Sequence, residues 1–292
     1  MTVHDNHVHF HEGGLGRLAA RVFRTIGGTS MTVVTTYSRS IEPWNYELLF
    51  RMTTEQEAAV RSEEVATLLA LGPHPNSLIE ILNHTRSLER AAELQRAGFV
   101  RAFDALEAQQ AECLGEIGLA TNYDRLEHRL THLIPTLREL EQTILREAFV
   151  RAAELEVPVM LHTPTASPDS LAQIAKWAKE AGLSTDRVIQ HFSKPFLDPQ
   201  ENHGILPSIV CHSSNIHRLL KHPGLTEHPF LLETDYMDLH PFYEQVCPIH
   251  QTVRVMYELE QSGRFSADQL TTMFDRTIER IYRVQPGVRI RS

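Results

Sequence analysis

The tract Asp5-Asn6-His7-Val8-His9 sets two imidazoles two residues apart at the end of a short apolar run. In an extended strand, side chains at i and i+2 leave from the same face, so His7 and His9 can reach one metal ion together. Hydrogen bonding within a core is the other use of such a pair. Four further runs end in the same way. Glu116 lies in Cys113-Leu114-Gly115-Glu116-Ile117-Gly118, and His162 closes Pro158-Val159-Met160-Leu161-His162. His191 follows Val188-Ile189-Gln190, and Asp235 ends Phe230-Leu231-Leu232-Glu233-Thr234-Asp235. A buried glutamate without a partner is costly, so Glu116 calls for a cation, and its flanking glycines are expected to leave room around it. Four histidines and two carboxylates suit one or two divalent ions, with zinc, manganese and magnesium all admissible. Such ions would polarise a scissile bond and lower the pKa of water held between them, with Glu116 as the natural bridge. Asp235 could bind one ion and also take a proton as general base.

The elements that must position these residues follow from periodicity. Eight β-branched, apolar runs, each bounded by turns, alternate with amphipathic stretches. They span residues 2–10, 31–37, 67–72, 111–119, 157–162, 187–192, 205–212 and 229–235. A helix is expected over 125–156, bent or split at Pro135, a second over 168–181 ended by Gly182, and a last over 266–284 capped by Ser266. Strand then helix, eight times in 292 residues with no linker, predicts an α/β fold: one (β/α)8 TIM-type barrel domain over 1–292. In that fold the C-terminal ends of the strands form the active site, where all six residues should lie.

Composition narrows the function. With 28 Lys and Arg against 37 Asp and Glu, the formal charge of −9 argues against a surface built to hold nucleic acid by its phosphates, though a local groove is allowed. Cys113, Cys211 and Cys247 show no pairing pattern, which predicts neither a disulfide framework nor a cysteine zinc site and fits a reducing, cytoplasmic compartment. No run approaches about 18 apolar residues and the first residues are polar, so neither signal peptide nor membrane contact is expected.

Taken in order, these residues resemble the TatD-type branch of the amidohydrolase-like metal hydrolases, barrel enzymes that include metal-dependent deoxyribonucleases. The resemblance spans nearly the whole chain. It is carried by the five tracts above, extended to Leu119, to His191-Phe192-Ser193 and to Glu233-Thr234-Asp235, and by Gly72-Pro73-His74-Pro75. It implies that His7, His9 and Asp235 bind a first metal, that Glu116 bridges, and that His162 and His191 bind a second. It also implies a phosphodiester substrate, DNA or a small nucleotide. His74 would touch substrate or cap a turn.

The chain departs from that pattern at several points. Phe10-His11 stands where the family has a Leu-Asp pair, making His11 an extra possible ligand. Ala120 replaces an aspartate, and His162 is followed by Thr163-Pro164 where an arginine often stands two residues on, removing a phosphate-recognising charge. The tract Tyr236-Met237-Asp238-Leu239-His240-Pro241 reads as a rebuilt loop. Glu233 shares strand parity with Asp235, so it should orient a ligating histidine or serve as a structural acid. His212, His217 and His240 are placed on loops of the catalytic face, with Arg218 and Lys221 either solvated or meeting an anionic substrate. The expected partner is thus a small-molecule or nucleic-acid substrate, with no obligate protein partner. The same centre could instead open a carboxylic ester, lactone or amide, and a non-catalytic metal-binding partner protein is the reading of another class.

Overall fold

Buried parallel strands need hydrophobic residues on both faces, and the apolar runs supply them. The computed structural model describes residues 2–35, 41–163, 166–238 and 246–284. In chain order these form β1 (His4–His9), α1 (Gly16–Thr25), β2 (Ser30–Val34), α2 (Tyr46–Arg61), β3 (Ala66–Leu71), α3 (Pro75–Thr85) and α4 (Leu88–Glu107). There follow β4 (Cys113–Gly118), α5 (Ile134–Leu155), β5 (Val159–His162), α6 (Pro168–Glu180), β6 (Val188–Ser193), α7 (Pro199–Asn202), β7 (Leu206–Val210) and α8 (Ser213–Lys221). The last are β8 (Leu231–Glu233), β9 (Tyr236–Met237), α9 (Gln251–Gln261) and α10 (Ala267–Tyr282).

Each strand from β1 to β8 pairs in parallel with the next, and β9 pairs in parallel with β1. β8 and β9 are two halves of one extended tract, broken at Thr234 and Asp235, where Asp235 turns left-handed with φ 52°. One half holds β7 and the other holds β1, so this tract closes the sheet into the expected (β/α)8 barrel. The tract read as a rebuilt loop therefore begins as strand: Tyr236 and Met237 pair with Val8 and His9 because β1 offers them a free edge. His240, Tyr37 and Pro164 lie outside the described residues.

The helices start where local chemistry dictates. Pro135 neither bends nor interrupts a long helix. It stands in the first turn of α5, where its missing N–H costs nothing, and the stretch before it forms 3-10 turns at Tyr123–Arg125 and His128–Leu133. Ser167 and Ser266 cap α6 and α10 with reciprocal capping boxes. No helix among the described residues is long and apolar enough to cross a membrane.

The interior of the barrel is filled by Leu68, Cys113, Met160, Ile189, Leu206 and Leu231, which cluster with Ile278, Ile281 and Tyr282 of α10. Tyr282 also donates to Asn6 Oδ1 at 2.7 Å, and Asn6 donates to Ser208 at 3.0 Å. Since Cys113, Leu206 and Leu231 open their strands, α10 stoppers the N-terminal mouth of the barrel. The opposite mouth is left to the polar strand ends. There the glycines of β4 act differently from expectation: a Cβ on Gly115 would stand 2.8 Å from Met160 Cβ, and one on Gly118 would stand 2.6 Å from the His162 carbonyl oxygen. They let β4 approach β5 closely, and do not make room for Glu116.

Candidate metal centre

Strand alternation sends His7 and His9 inward from β1, with their Nε2 atoms 2.9 Å apart. Glu116 reaches them from β4. Its Oε2 lies 3.6 Å from His7 Nε2 and 3.7 Å from His9 Nε2. Its Oε1 faces a different set: His162 Nδ1 in direct contact, His191 Nε2 at 3.4 Å and His74 Nε2 at 3.8 Å. Asp235 closes the other side, with Oδ1 3.5 Å from His9 Nε2 and 3.8 Å from His7 Nε2. The left-handed turn at Asp235 lets its carboxylate face this group while the chain continues into β9.

The donors form three overlapping groups in which all atoms lie within 4.8 Å of one another: His7, His9 and Glu116; His7, His191 and Asp235; and His74, Glu116 and His162. Buried polar atoms are normally hydrogen-bonded, yet His162 Nε2 and Asp235 Oδ1 are buried with no hydrogen-bond partner. Open nitrogen and oxygen donors converging on a shared carboxylate fit borderline or hard divalent cations. The set therefore fits a metal centre, and all six sequence-predicted donors are brought together in it.

The ionisable groups of the cluster shift one another strongly. Burial would raise the pKa of Glu116, but His162, His191 and His74 hold it well below the usual carboxylate range. Burial opposes ionisation of Asp235 as well, and His9, His191 and His7 overcome it, keeping the carboxyl low. Burial, with the neighbouring His191, lowers His7. Burial and His162 push His74 down to about 3. His9 goes up against its burial because Asp235 and Glu116 face it. His191 is likewise raised against burial, to about 10, by Glu233 and Glu116.

The secondary residues separate clearly. Glu233 Oε1 sits 2.9 Å from His191 Nδ1 and accepts the Phe192 N–H at 2.5 Å, so of its two expected roles the structure shows the orienting contact. Of the two roles expected of His74 the structure shows the cap: Nδ1 accepts from the Asn76 N–H at 3.1 Å at the start of α3, and Nε2 stands 3.8 Å from Glu116 Oε1. His11 is corrected. Its backbone N–H and its Nδ1 both meet Asp238 Oδ1, at 2.9 and 2.7 Å, and it belongs to none of the three donor groups. His212 belongs to none of the three donor groups: its Nδ1 lies 3.5 Å from Cys247 Sγ and the ring stands edge-on to Phe192. His217, Arg218 and Lys221 lie on helix α8 and not on a loop, exposed on its solvent side.

Two participants were not singled out from sequence. Asp5 is fully buried beneath His7 and accepts from both the Thr234 N–H, at 3.0 Å, and the Thr234 hydroxyl, at 2.7 Å. Burial pushes its carboxyl up to about 7. It thus ties β1 to the residue preceding Asp235. Met160 Sδ meets His7 Nδ1 at 2.9 Å and backs the ring. Asp5 stands within the first motif, but its partner is 229 residues away, so no local signal gave it a role.

Comparison with known proteins agrees with this architecture. An uncharacterized protein of Methanocaldococcus jannaschii is 23% identical over 286 residues, covering 97% of this chain and 96% of its own. A TatD-like protein from Archaeoglobus fulgidus superposes with a TM-score of 0.64 at 15% identity, over 96% of this chain and 100% of its own. A phosphotriesterase from Mycobacterium tuberculosis shares the fold, with a TM-score of 0.57 at 13% identity over 99% and 96% of the two chains. The family described as TatD-related DNase matches residues 4–283, and the chain belongs to that family.

Proposed function

We propose that this protein is a metal-dependent hydrolase acting on a phosphodiester, with His7, His9, Glu116, His162, His191 and Asp235 holding one or two divalent ions and His74 beside them. The observation that carries the reading is the division of five imidazoles between the two oxygens of Glu116, with His162 Nε2 and Asp235 Oδ1 left open. Divalent ions bound there supply Lewis acidity, which polarises the scissile bond and makes water a better nucleophile near neutral pH. Hydrolysis bonds a water oxygen to phosphorus, releases the bridging oxygen with its electron pair, and moves one proton from water to that oxygen. Asp235, kept ionised by the histidines around it, takes that proton at Oδ1 and passes it to the leaving oxygen. Glu233 holds His191 through Nδ1, so His191 presents Nε2. The family description supports a phosphoester over a carboxylic ester, lactone or amide. Three buried, unpaired cysteines suit a reducing compartment, and we place the protein in the cytoplasm on that ground.

The test measures metal per chain and then hydrolysis with zinc, manganese and magnesium in turn, on bis(4-nitrophenyl) phosphate, single-stranded DNA, and a set of carboxylic esters, lactones and amides. Phosphodiester cleavage is expected, falling about a hundred- to ten-thousand-fold in Asp235→Asn. Activity confined to carbonyl substrates would move the assignment to an esterase or amidase. A stable protein that stays metal-free in metal-replete buffer would defeat the metal reading, and metal without any turnover would indicate a binding protein.

A further inference from the structure

Asp235 has to be aimed, and nothing bonded to its reacting oxygen does so. Oδ1 is buried with no hydrogen-bond partner, so its direction depends on the backbone turn that carries it. That turn is a single left-handed residue, φ 52°, set between two ladders. Glu233 pairs with Val210 of β7 before it, and Tyr236 pairs with Val8 of β1 after it. A residue other than glycine in that region costs free energy and persists where its surroundings hold it there.

The holding residue is Thr234. Its N–H donates to Asp5 Oδ1 at 3.0 Å and its hydroxyl donates to Asp5 Oδ2 at 2.7 Å. The same hydroxyl oxygen accepts the Tyr236 N–H at 3.2 Å, and the Thr234 carbonyl accepts the Cys247 N–H at 2.9 Å. The residues on either side of Asp235 are thus tied to one carboxylate on β1. Asp5 and Thr234 are both fully buried, where no water can replace a bond that is lost.

Both lie behind the donors. Asn6 bonds to Ser208 and Tyr282 inside the barrel, so Asp5, one residue earlier, points to the other face of the strand. There the hydroxyl of Thr252, on α9, reaches Asp5 Oδ2 at 3.5 Å. Neither Asp5 nor Thr234 belongs to a donor group, although each stands beside ligands in the sequence, in Asp5-Asn6-His7-Val8-His9 and in Glu233-Thr234-Asp235.

We infer that Asp5 and Thr234 form a clamp that positions Asp235, holding its carboxylate against His7 and His9 where the barrel closes. They are positioning residues: they touch neither ion nor substrate and act through the turn. The inference rests on the metal-dependent hydrolase reading above and adds to it what aims the proton acceptor. Misplacing a reacting group by about 1 Å can cost a hundredfold in rate, so loss of the clamp should be felt at the site as well as in stability.

The test compares variants of the full chain. Ion retention is read by competition with a chelator, using zinc or manganese alone, whichever the parent holds tighter, and turnover is read separately. Thr234→Val keeps the shape and removes the hydroxyl. It should weaken ion retention about ten- to hundredfold and lower kcat, and Thr234→Ser, which restores the hydroxyl, should recover both. Thr252→Val takes a hydroxyl from the same Asp5 oxygen without touching the turn, and should leave ion retention unchanged. Melting curves establish that each variant is folded. If Thr234→Val is not, Asp5→Asn, whose amide can accept from only one of the two Thr234 donors, should show the same loss. Ion retention equal to the parent's in folded Thr234→Val overturns the clamp, because Asp235 would then be aimed by other contacts. An equal loss in Thr252→Val also overturns it, because any disturbance of Asp5 would then suffice. Variants that rank as expected in a protein that binds the ion but hydrolyses nothing keep the clamp and remove the hydrolase reading.

Discussion

A single carboxylate, Glu116, divides the imidazoles between its two oxygens, and the neighbouring side chains are tuned around that charge. A second carboxyl, Glu141, shows the reverse tuning. Burial pushes it from 4.5 up to about 7, more than the Tyr123 hydroxyl, the Ala120 amide and Arg138 can offset. Between those values the folded chain keeps a proton that the unfolded chain has released, so stability from this group is full below 4.5 and lost as pH rises through about 7. Glu141→Gln removes the ionisation and keeps an acceptor for Tyr123. Calorimetry should find the variant melting above the parent at about pH 8 and level with it at about pH 4; a gap of the same size at both would refute the assignment. The donors themselves were legible because each closes an apolar run, where strand alternation and barrel geometry leave little choice of direction. The pairing of His11 with Asp238 was not legible, because the two lie 227 residues apart and spacing carries no information about such a pair.

Among the elements, the strands were the easiest to read and their ends the hardest. Apolar, β-branched runs mark a buried parallel sheet, but a partner strand decides where pairing stops. The tract after Asp235 pairs with β1 only because β1 is there to receive it. Pro135 marks the start of α5 and not a break within it, and the 3-10 turns before it explain why helical spacing seemed to run through it. The close contact of β4 with β5 gives the sharpest prediction at this scale. Gly118 adopts φ 148°, and an added Cβ would meet the His162 carbonyl at 2.6 Å. Gly118→Ala should cost about 1–3 kcal/mol and push His162 outward, so that a lowered melting temperature comes with lowered metal retention. Loss of stability with full metal content would separate the two effects and show that His162 is placed by something else.

For the molecule as a whole, the two mouths of the barrel divide stability from chemistry. Donors gather at the C-terminal mouth, and α10 seals the other with Ile278, Ile281 and Tyr282. Ile281 is fully buried there, so Ile281→Ala should destabilise the protein by about 2–5 kcal/mol in denaturant unfolding. Metal content and the pH profile of activity should be unchanged in the folded fraction; a shift in either would mean that the plug is coupled to the site. That α10 is amphipathic was legible, and that it plugs the barrel was not, because the hole exists only once eight strands have closed a ring.

The break between β8 and β9 carries a consequence in time. The first donor, His7, leaves the ribosome early, but Asp235 stands in the seam that joins the last strand to β1, more than two hundred residues later. Until that seam shuts, the emerging chain exposes five imidazoles and a glutamate with no ring to confine them. The donor group that includes Asp235 therefore cannot assemble until the seam has closed. A chain without residue 235 can neither close the ring nor assemble the full donor set.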